Sequence, residues 1–287
     1  MKEFSFKTDI QFNNFKVVDF LKAKGVSLEI IKKIKIGGIY INGVLLNNIN
    51  NQVFTNDVVK ILLPNDETNP YIKAVKGELD VVYEDDYILA VDKKRGVLTH
   101  SSKYNDSLAL DSLVCGYFYP QPFTFRAVNR LDKDTSGIVL IAKDMLTASL
   151  LSNQIKSGEF IKTYLAIVVG RPNKNHFIIE KPIMKESENS IKRVCNDKGK
   201  YAKTECFFVK DINEKLSLLN IILHTGRTHQ IRVHLSSINL PLYADSLYGE
   251  RVENKTYYLH ANSLTFIHPY TNEKITLKSK RDIDINI

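Results

Sequence analysis

The stretch Asn129-Arg130-Leu131-Asp132-Lys133-Asp134-Thr135-Ser136-Gly137 packs two carboxylates and two cations into nine residues. In an extended chain, side chains two apart share a face, so Arg130 and Asp132 point the same way. Asp134, Thr135, Ser136 and Gly137 favour a turn, and Ile138-Val139-Leu140-Ile141-Ala142 behind them reads as a buried strand. A carboxylate on a tight loop against a rigid strand suits nucleophilic or acid–base work. Taken alone, such a stretch is more commonly a turn capped by Asp132, with Arg130 a solvated charge. The rest of the chain has to decide.

Two further segments carry reactive side chains. Phe160 to Gly170 is an apolar strand pattern with Lys162 and Tyr164 on one face. In Thr225-Gly226-Arg227-Thr228-His229-Gln230-Ile231-Arg232-Val233-His234-Leu235, the residues Ile231, His234, Leu235 and Ile238 recur at helical spacing. That predicts a helix starting near Thr228, with Gly226 and Arg227 before its free amides, a favourable place for an anion. His229 and His234 are five apart, where two ligands on one helix face would be four apart, and no Glu follows His229, so no zinc site is expected. Asp132-Lys133-Asp134-Thr135 is one residue short of an aspartyl-phosphate pattern, and no magnesium-binding partner accompanies it. No dinucleotide or ATP motif is present, and the expected cofactor count is none.

These residues need elements to hold them. Leu79–Tyr83 and Ile88–Asp92 read as a hairpin around Glu84-Asp85-Asp86. Asp144 is a helix N-cap ahead of Met145, Ala148, Leu151 and Ile155. Tyr201–Val209 and Leu216–His224 form a second hairpin around Asn213. Before residue 64 the pattern changes. Between Phe15 and Gly37 six lysines (Lys16, Lys22, Lys24, Lys32, Lys33, Lys35) face only Asp19 and Glu29, on two short amphipathic helices, the second capped by Ser27. Ile39–Ile41, Asn42-Gly43 and Val44–Leu46 then read as strand, type I′ turn and strand, and Val58–Leu63 as a further strand. Residues 64–78, polar and bounded by Pro64 and Pro70, read as a linker between a domain at 1–63 and one at 79–287.

A hydrophobic content of 44% supports a proper core, and no apolar run reaches the 18 residues of a membrane span. The start of the chain lacks the long apolar stretch of a secretory signal. Three cysteines, outside any Cys-x-x-Cys arrangement, suit a reducing cytoplasm. A net charge of +8 is compatible with a polyanionic partner and decides nothing alone.

Taken in order, the motifs resemble one family. Arg-Leu-Asp-x-x-Thr-Ser-Gly before an apolar strand, Lys-x-Tyr-x-Ala-x-Val-x-Gly at Lys162–Gly170, and Gly-Arg-Thr-His-Gln-Ile-Arg-x-His at Gly226–His234 are similar to the RluA-type pseudouridine synthases. The resemblance runs from about Leu79 to Leu277. It implies an α+β fold, with a mixed, largely antiparallel central sheet and flanking helices, and isomerisation of uridine in RNA. By the same resemblance Asp132 is the catalytic carboxylate, Tyr164 the active-site tyrosine and Arg227 the partner of Asp132. An aromatic face suits stacking of an extruded base. Arg130, Asn129, Lys162, Thr228, His229, Gln230 and Arg232 are expected on the RNA side of the site. Asn129 stands where the family usually has His, and an Asn cannot titrate near neutral pH, so altered RNA positioning is expected there. Residues 12–63 resemble the small α+β RNA-binding module first seen in a small-subunit ribosomal protein, with Lys32, Lys33 and Lys35 meeting phosphates. The expected partner is RNA, ribosomal before transfer RNA, with no membrane and no second subunit. A non-catalytic RNA-binding or ribosome-assembly protein is the rival reading.

Overall fold

The structure is a computed structural model that describes residues 2–34, 37–65, 69, 71–101 and 109–283. Lys35, one of the expected phosphate contacts, lies outside the described residues.

Alternation at Phe4 and Phe6 makes the first residues a strand, β1 (Lys2–Lys7), which the sequence reading passed over. β2 (Phe15–Lys16), α1 (Val17–Ala23), α2 (Leu28–Ile34), β3 (Ile39–Ile41), β4 (Val44–Leu45), β5 (Gln52–Val53) and β6 (Val58–Leu63) follow. Four of the strands form a sheet ordered β1-β6-β3-β4, covered by the two helices, and β2 pairs separately with β5. The expected turn is present: Asn42 and Gly43 both hold positive φ, at 50° and 84°, as a type I′ hairpin demands. Ser27 caps α2 through its hydroxyl to the Ile30 amide, at 3.4 Å.

The chain from 71 to 78, expected as a linker, lies against the larger unit. The Val75 amide bonds the Ser112 carbonyl at 3.0 Å, and Lys94 reaches Glu78 at 2.9 Å. The larger unit comprises β7 (Val81–Glu84), β8 (Ile88–Lys93), α3 (Leu110–Phe118), β9 (Ser136–Ala142), α4 (Met145–Ser157), β10 (Ile161–Val169), β11 (His176–Glu180), β12 (Ile183–Lys185), β13 (Arg193–Cys195), β14 (Lys203–Asp211), β15 (Leu216–Leu223), α5 (Gln230–Ser236), β16 (Leu259–Ile267) and β17 (Lys274–Lys278). Its sheet runs β11-β14-β15-β10-β16-β9-β8-β7, with β17 added to β16. Every pair is antiparallel except β16 with β9, so the expected mixed, largely antiparallel sheet is what forms.

One rung of this sheet positions the site. Ile221 on β15 pairs with Tyr164 on β10, Tyr164 with Ala261 on β16, Ala261 with Gly137 on β9, and Gly137 with Lys93 on β8. Residues from five separate parts of the chain therefore share one line, with neighbours about 4.8 Å apart. The register slips between Thr163 and Tyr164 because β16 carries an extra residue there, Asn262, a bulge that bends β16 beside the tyrosine. Gly137 has φ 109°, and a Cβ there would meet the Ala261 carbonyl oxygen at 2.2 Å. Only glycine lets β9 come this close to β16.

The two units share apolar contacts. Leu146 of α4 is fully buried in the core of the small domain, and Met145, Leu150, Tyr87 and Tyr270 pack on the same cluster. Phe4 stacks on Tyr270 with ring centroids 5.2 Å apart, and burying one such ring contributes roughly 1.5–3 kcal/mol. Among the described residues no helix is long and apolar enough to cross a membrane.

Candidate active site

The loop ahead of β9 is tied down from three sides. The Thr99 hydroxyl donates to the Leu131 carbonyl at 2.7 Å and accepts from the Leu131 amide at 3.2 Å. The Thr135 amide closes the turn onto the Asp132 carbonyl at 3.1 Å. Lys93, only 1% exposed at the end of β8, spends its ammonium on three carbonyls: Val97 at 2.7 Å, Lys133 at 3.0 Å and Lys94 at 3.1 Å. Burial draws the Lys93 pKa down to about 8, with Asp134 and Asp132 acting in the opposite sense. Replacing Lys93 with Met strands these carbonyls. It is expected to cost about 2–4 kcal/mol in urea unfolding and to slow turnover by loosening the loop.

Asp132 emerges from this loop with its side chain one-third exposed. Its Oδ2 is 3.5 Å from Nη1 of Arg232 and 3.8 Å from Nε2 of His229. Arg232 reaches the site from the first turns of α5 and is itself clamped. Its Nε and Nη2 donate to the two oxygens of Asp245, at 2.7 and 2.8 Å, and Asp245 is fully buried. The guanidinium also lies 4.2 Å from the Tyr257 ring centroid and 5.0 Å from that of Tyr248. Burial works against the Arg232 charge, but the Asp245 hydrogen bonds outweigh it and hold the pKa above its ordinary value.

This arrangement departs from the expected pairing. Arg227 does not meet Asp132; it is exposed and its Nε donates to the Tyr201 carbonyl at 2.9 Å. The physical reason is position. Arg227 precedes α5 on the solvent side, whereas Arg232 lies on the helix between the buried Ile231 and Val233. The expected anion seat at this helix start is also filled from within: the Arg227 amide donates to Oε1 of Gln230 at 2.9 Å.

Tyr164 is 5% exposed, and its hydroxyl has no hydrogen-bond partner among the described residues. Burial raises its pKa, and the nearby Asp132 charge raises it further, so the phenol stays protonated beside the carboxylate. Tyr257 behaves alike, raised first by burial and then by Asp132, and its hydroxyl meets Thr135 Oγ1 at 3.3 Å. His229 bonds the Tyr248 hydroxyl through Nδ1 at 2.8 Å. Burial lowers its pKa, so it stands neutral at pH 7 next to Asp132.

Other expected RNA contacts fall in different places. Asn129 is buried, not presented to RNA. Its amide donates to the Ile138 carbonyl at 3.0 Å and accepts from the Leu140 amide at 2.9 Å, which fastens the chain before the loop to β9. Asn129→Ala is expected to lower stability by about 1–3 kcal/mol on thermal melting, with single-turnover rates well below the melt little changed. Gln230, 2% exposed, anchors α5 to the Lys203 carbonyl and the Thr204 hydroxyl, each at 3.0 Å. His234 does the same through Thr204 at 2.8 Å and the Lys181 carbonyl at 2.9 Å. Arg130 and Thr228 are exposed. Lys162 is 6% exposed with no carboxylate partner among the described residues, and its ammonium faces the Gly226 turn. Lys32 and Lys33 are exposed on α2, Lys33 within 3.7 Å of Glu29.

A carboxylate gripped on one side by a buried guanidinium and walled by two protonated phenols is the arrangement that comparison with known proteins has to explain. The model of the RNA pseudouridylate synthase family matches residues 87–237, more than half of the chain and all of the loop, Tyr164 and Arg232. The chain belongs to this family. It is an isomerase acting on RNA, of the RluA type. An uncharacterized RNA pseudouridine synthase of Mycoplasma genitalium is 34% identical over 90% of this synthase and 86% of its own length. The ribosomal large subunit pseudouridine synthase C of Rickettsia prowazekii is 34% identical over 81% and 80%. Among solved structures, human RNA pseudouridylate synthase domain containing 1 superposes with a TM-score of 0.60 at 25% identity, over 71% of the synthase and 84% of that chain. Asp245, Tyr248 and Tyr257 escaped the sequence reading as site residues. Asp245 offered one signal, an acid directly after the apolar Pro241-Leu242-Tyr243-Ala244 segment.

Proposed function

We propose that this synthase isomerises uridines of large-subunit ribosomal RNA, in the cytoplasm and as a monomer, with residues 1–63 as its RNA-binding domain and 79–287 as its catalytic one. The observation that carries the reading is the clamp on Asp132: Arg232 and Asp245 fix its rotamer while one-third of its surface stays open to a substrate. The Rickettsia relative, a ribosomal large subunit pseudouridine synthase, supports the ribosomal target. The lysine-rich stretch of α1 and α2 supports contact with RNA phosphates, which place an RNA without reading it.

A base inside a helix is closed to a carboxylate, so the uridine turns out of the stack into the site. Arg130, exposed two residues before Asp132, fills the vacated space or meets a flanking phosphate. His229, 3.8 Å from Asp132, faces the same opening. Tyr164 lies against the uracil ring. Asp132 acts at C1′ as nucleophile or at C2′ as base; the N1–C1′ bond breaks, the uracil rotates in place, and C5 bonds C1′. The proton leaves C5 and N1 gains one, so atoms balance with no electrons or external groups moved.

Mapping pseudouridines in cells with and without the gene tests this reading. The expected result is loss at one or a few large-subunit positions, restored by the wild-type chain and not by Asp132→Asn. Loss confined to transfer RNA would overturn the ribosomal target.

A further inference from the structure

A second cleft, of about 720 Å³, lies away from Asp132 and has walls from both units. Met145, Ala148, Ser149, Ser152, Asn153 and Lys156 of α4 make one wall. They recur every three or four residues over twelve positions, so the cleft follows the helix for about 16 Å. The facing wall is the end of α1, the turn after it and α2, from Lys22 through Gly25 to Lys33. Arg126 closes the floor.

The charge is lopsided. Among the described residues that line the cleft, Lys22, Lys33, Arg126 and Lys156 outnumber Glu29, with Asp19 lying 3.2 Å from Lys22, and α4 has no carboxylate in its thirteen residues. The walls are also held at a fixed spacing. The Ser149 hydroxyl donates to the Gly25 carbonyl at 2.8 Å and accepts from the Ser27 amide at 3.1 Å. Lys2 reaches Asp144 at 3.3 Å, and Leu146 is buried in the small domain's core.

A single extended segment ties this cleft to the catalytic loop. The Ala142 amide bonds the Arg126 carbonyl at 2.9 Å and the Val128 amide bonds the Leu140 carbonyl at 2.7 Å, so residues 126–129 run back along β9 toward Asp132. Six residues separate Arg126 from Asp132, so the two lie at most about 20 Å apart.

We infer that this cleft holds the phosphate backbone of the same RNA whose uridine enters the active site, gripped by α2 on one side and α4 on the other. The inference rests on the RNA-modifying activity and extends it. The small domain is then a fixed half of a two-walled clamp, and Lys156 of the catalytic domain binds RNA as directly as Lys33 does. Serine and asparagine side chains along α4 supply neutral donors to phosphate oxygens between the cations.

The test compares two triple variants with equal loss of charge. Lys22, Lys33 and Lys156 are each changed to Gln in one. In the other the changes are at Lys174, Lys210 and Lys215, which are exposed at the far end of the sheet. The probe is an unmodified large-subunit ribosomal RNA transcript, with Kd followed against salt and conversion followed at saturating enzyme. The cleft variant is expected to bind at least ten times more weakly, with a salt slope shallower by about 2, since each lost contact removes roughly 0.7–0.9. Lys156→Glu alone shows the same weakening. Equal losses in both triple variants, or an unchanged slope in the cleft variant, would overturn the clamp. Wild-type enzyme that binds the transcript and converts none of its uridines defeats the ribosomal target, while the slope comparison still decides the cleft.

Discussion

Asp132→Asn is expected to cut single-turnover formation of pseudouridine at least about a hundredfold, with RNA affinity and melting temperature close to wild type. The size follows from chemistry. A positioned acid–base group alone contributes about a hundredfold or more, and an attacking carboxylate contributes further. The sparing of stability follows from geometry. Asp132 is one-third exposed and meets Arg232 only at 3.5 Å, while Arg232 keeps both bonds to Asp245 when the charge is removed. Asn retains the shape and loses the nucleophile. A drop of only about threefold would remove the catalytic role assigned to this residue. Deuterium at C2′ of the target uridine then separates the two routes: proton abstraction there slows with the heavier isotope, and attack at C1′ does not.

Much of this site is legible in the chain, because its parts are local. The turn after Asp132 and the β9 strand are consecutive, and the strand period places Lys162 and Tyr164 on a common face. The Asp144 cap is equally local, and its bond to the Thr147 amide is formed at 2.8 Å. What escaped is set by contacts between distant segments. The rung through Lys93, Gly137, Ala261 and Tyr164 depends on strand order, which no single segment records. Arg227 and Arg232 both lie within one motif, and the choice between them turns on which side of α5 faces the core. Asn129 shows the limit of reading a residue by type. Its amide could serve RNA or backbone, and only the antiparallel course of residues 126–129 beside β9 gives it two backbone partners. Lys93 is similar, since a lysine at a strand end normally reaches water and here the 93–97 turn and the catalytic loop enclose it.

The two arginines give the second large effect, because they predict opposite outcomes from like substitutions. Arg232→Met leaves the fully buried Asp245 carboxylate without its fork, and breaking such a pair costs about 3–5 kcal/mol. That is expected to lower the melting temperature by on the order of ten degrees. Arg232→Lys keeps a cation but cannot hold both Asp245 oxygens while reaching Asp132, so turnover is expected to fall by roughly ten- to a hundredfold, with KM changing less. Arg227→Lys removes one bond to a backbone carbonyl at the surface and is expected to stay within about twofold of wild type in kcat. Asp245→Asn combined with Arg232→Met removes both buried charges together, so it should recover part of the stability and none of the activity. Stability restored along with turnover in that double variant would mean that Arg232 only holds the fold. A wild-type rate in Arg232→Lys beside a crippled Arg227→Lys would return the carboxylate's partner to the loop before α5.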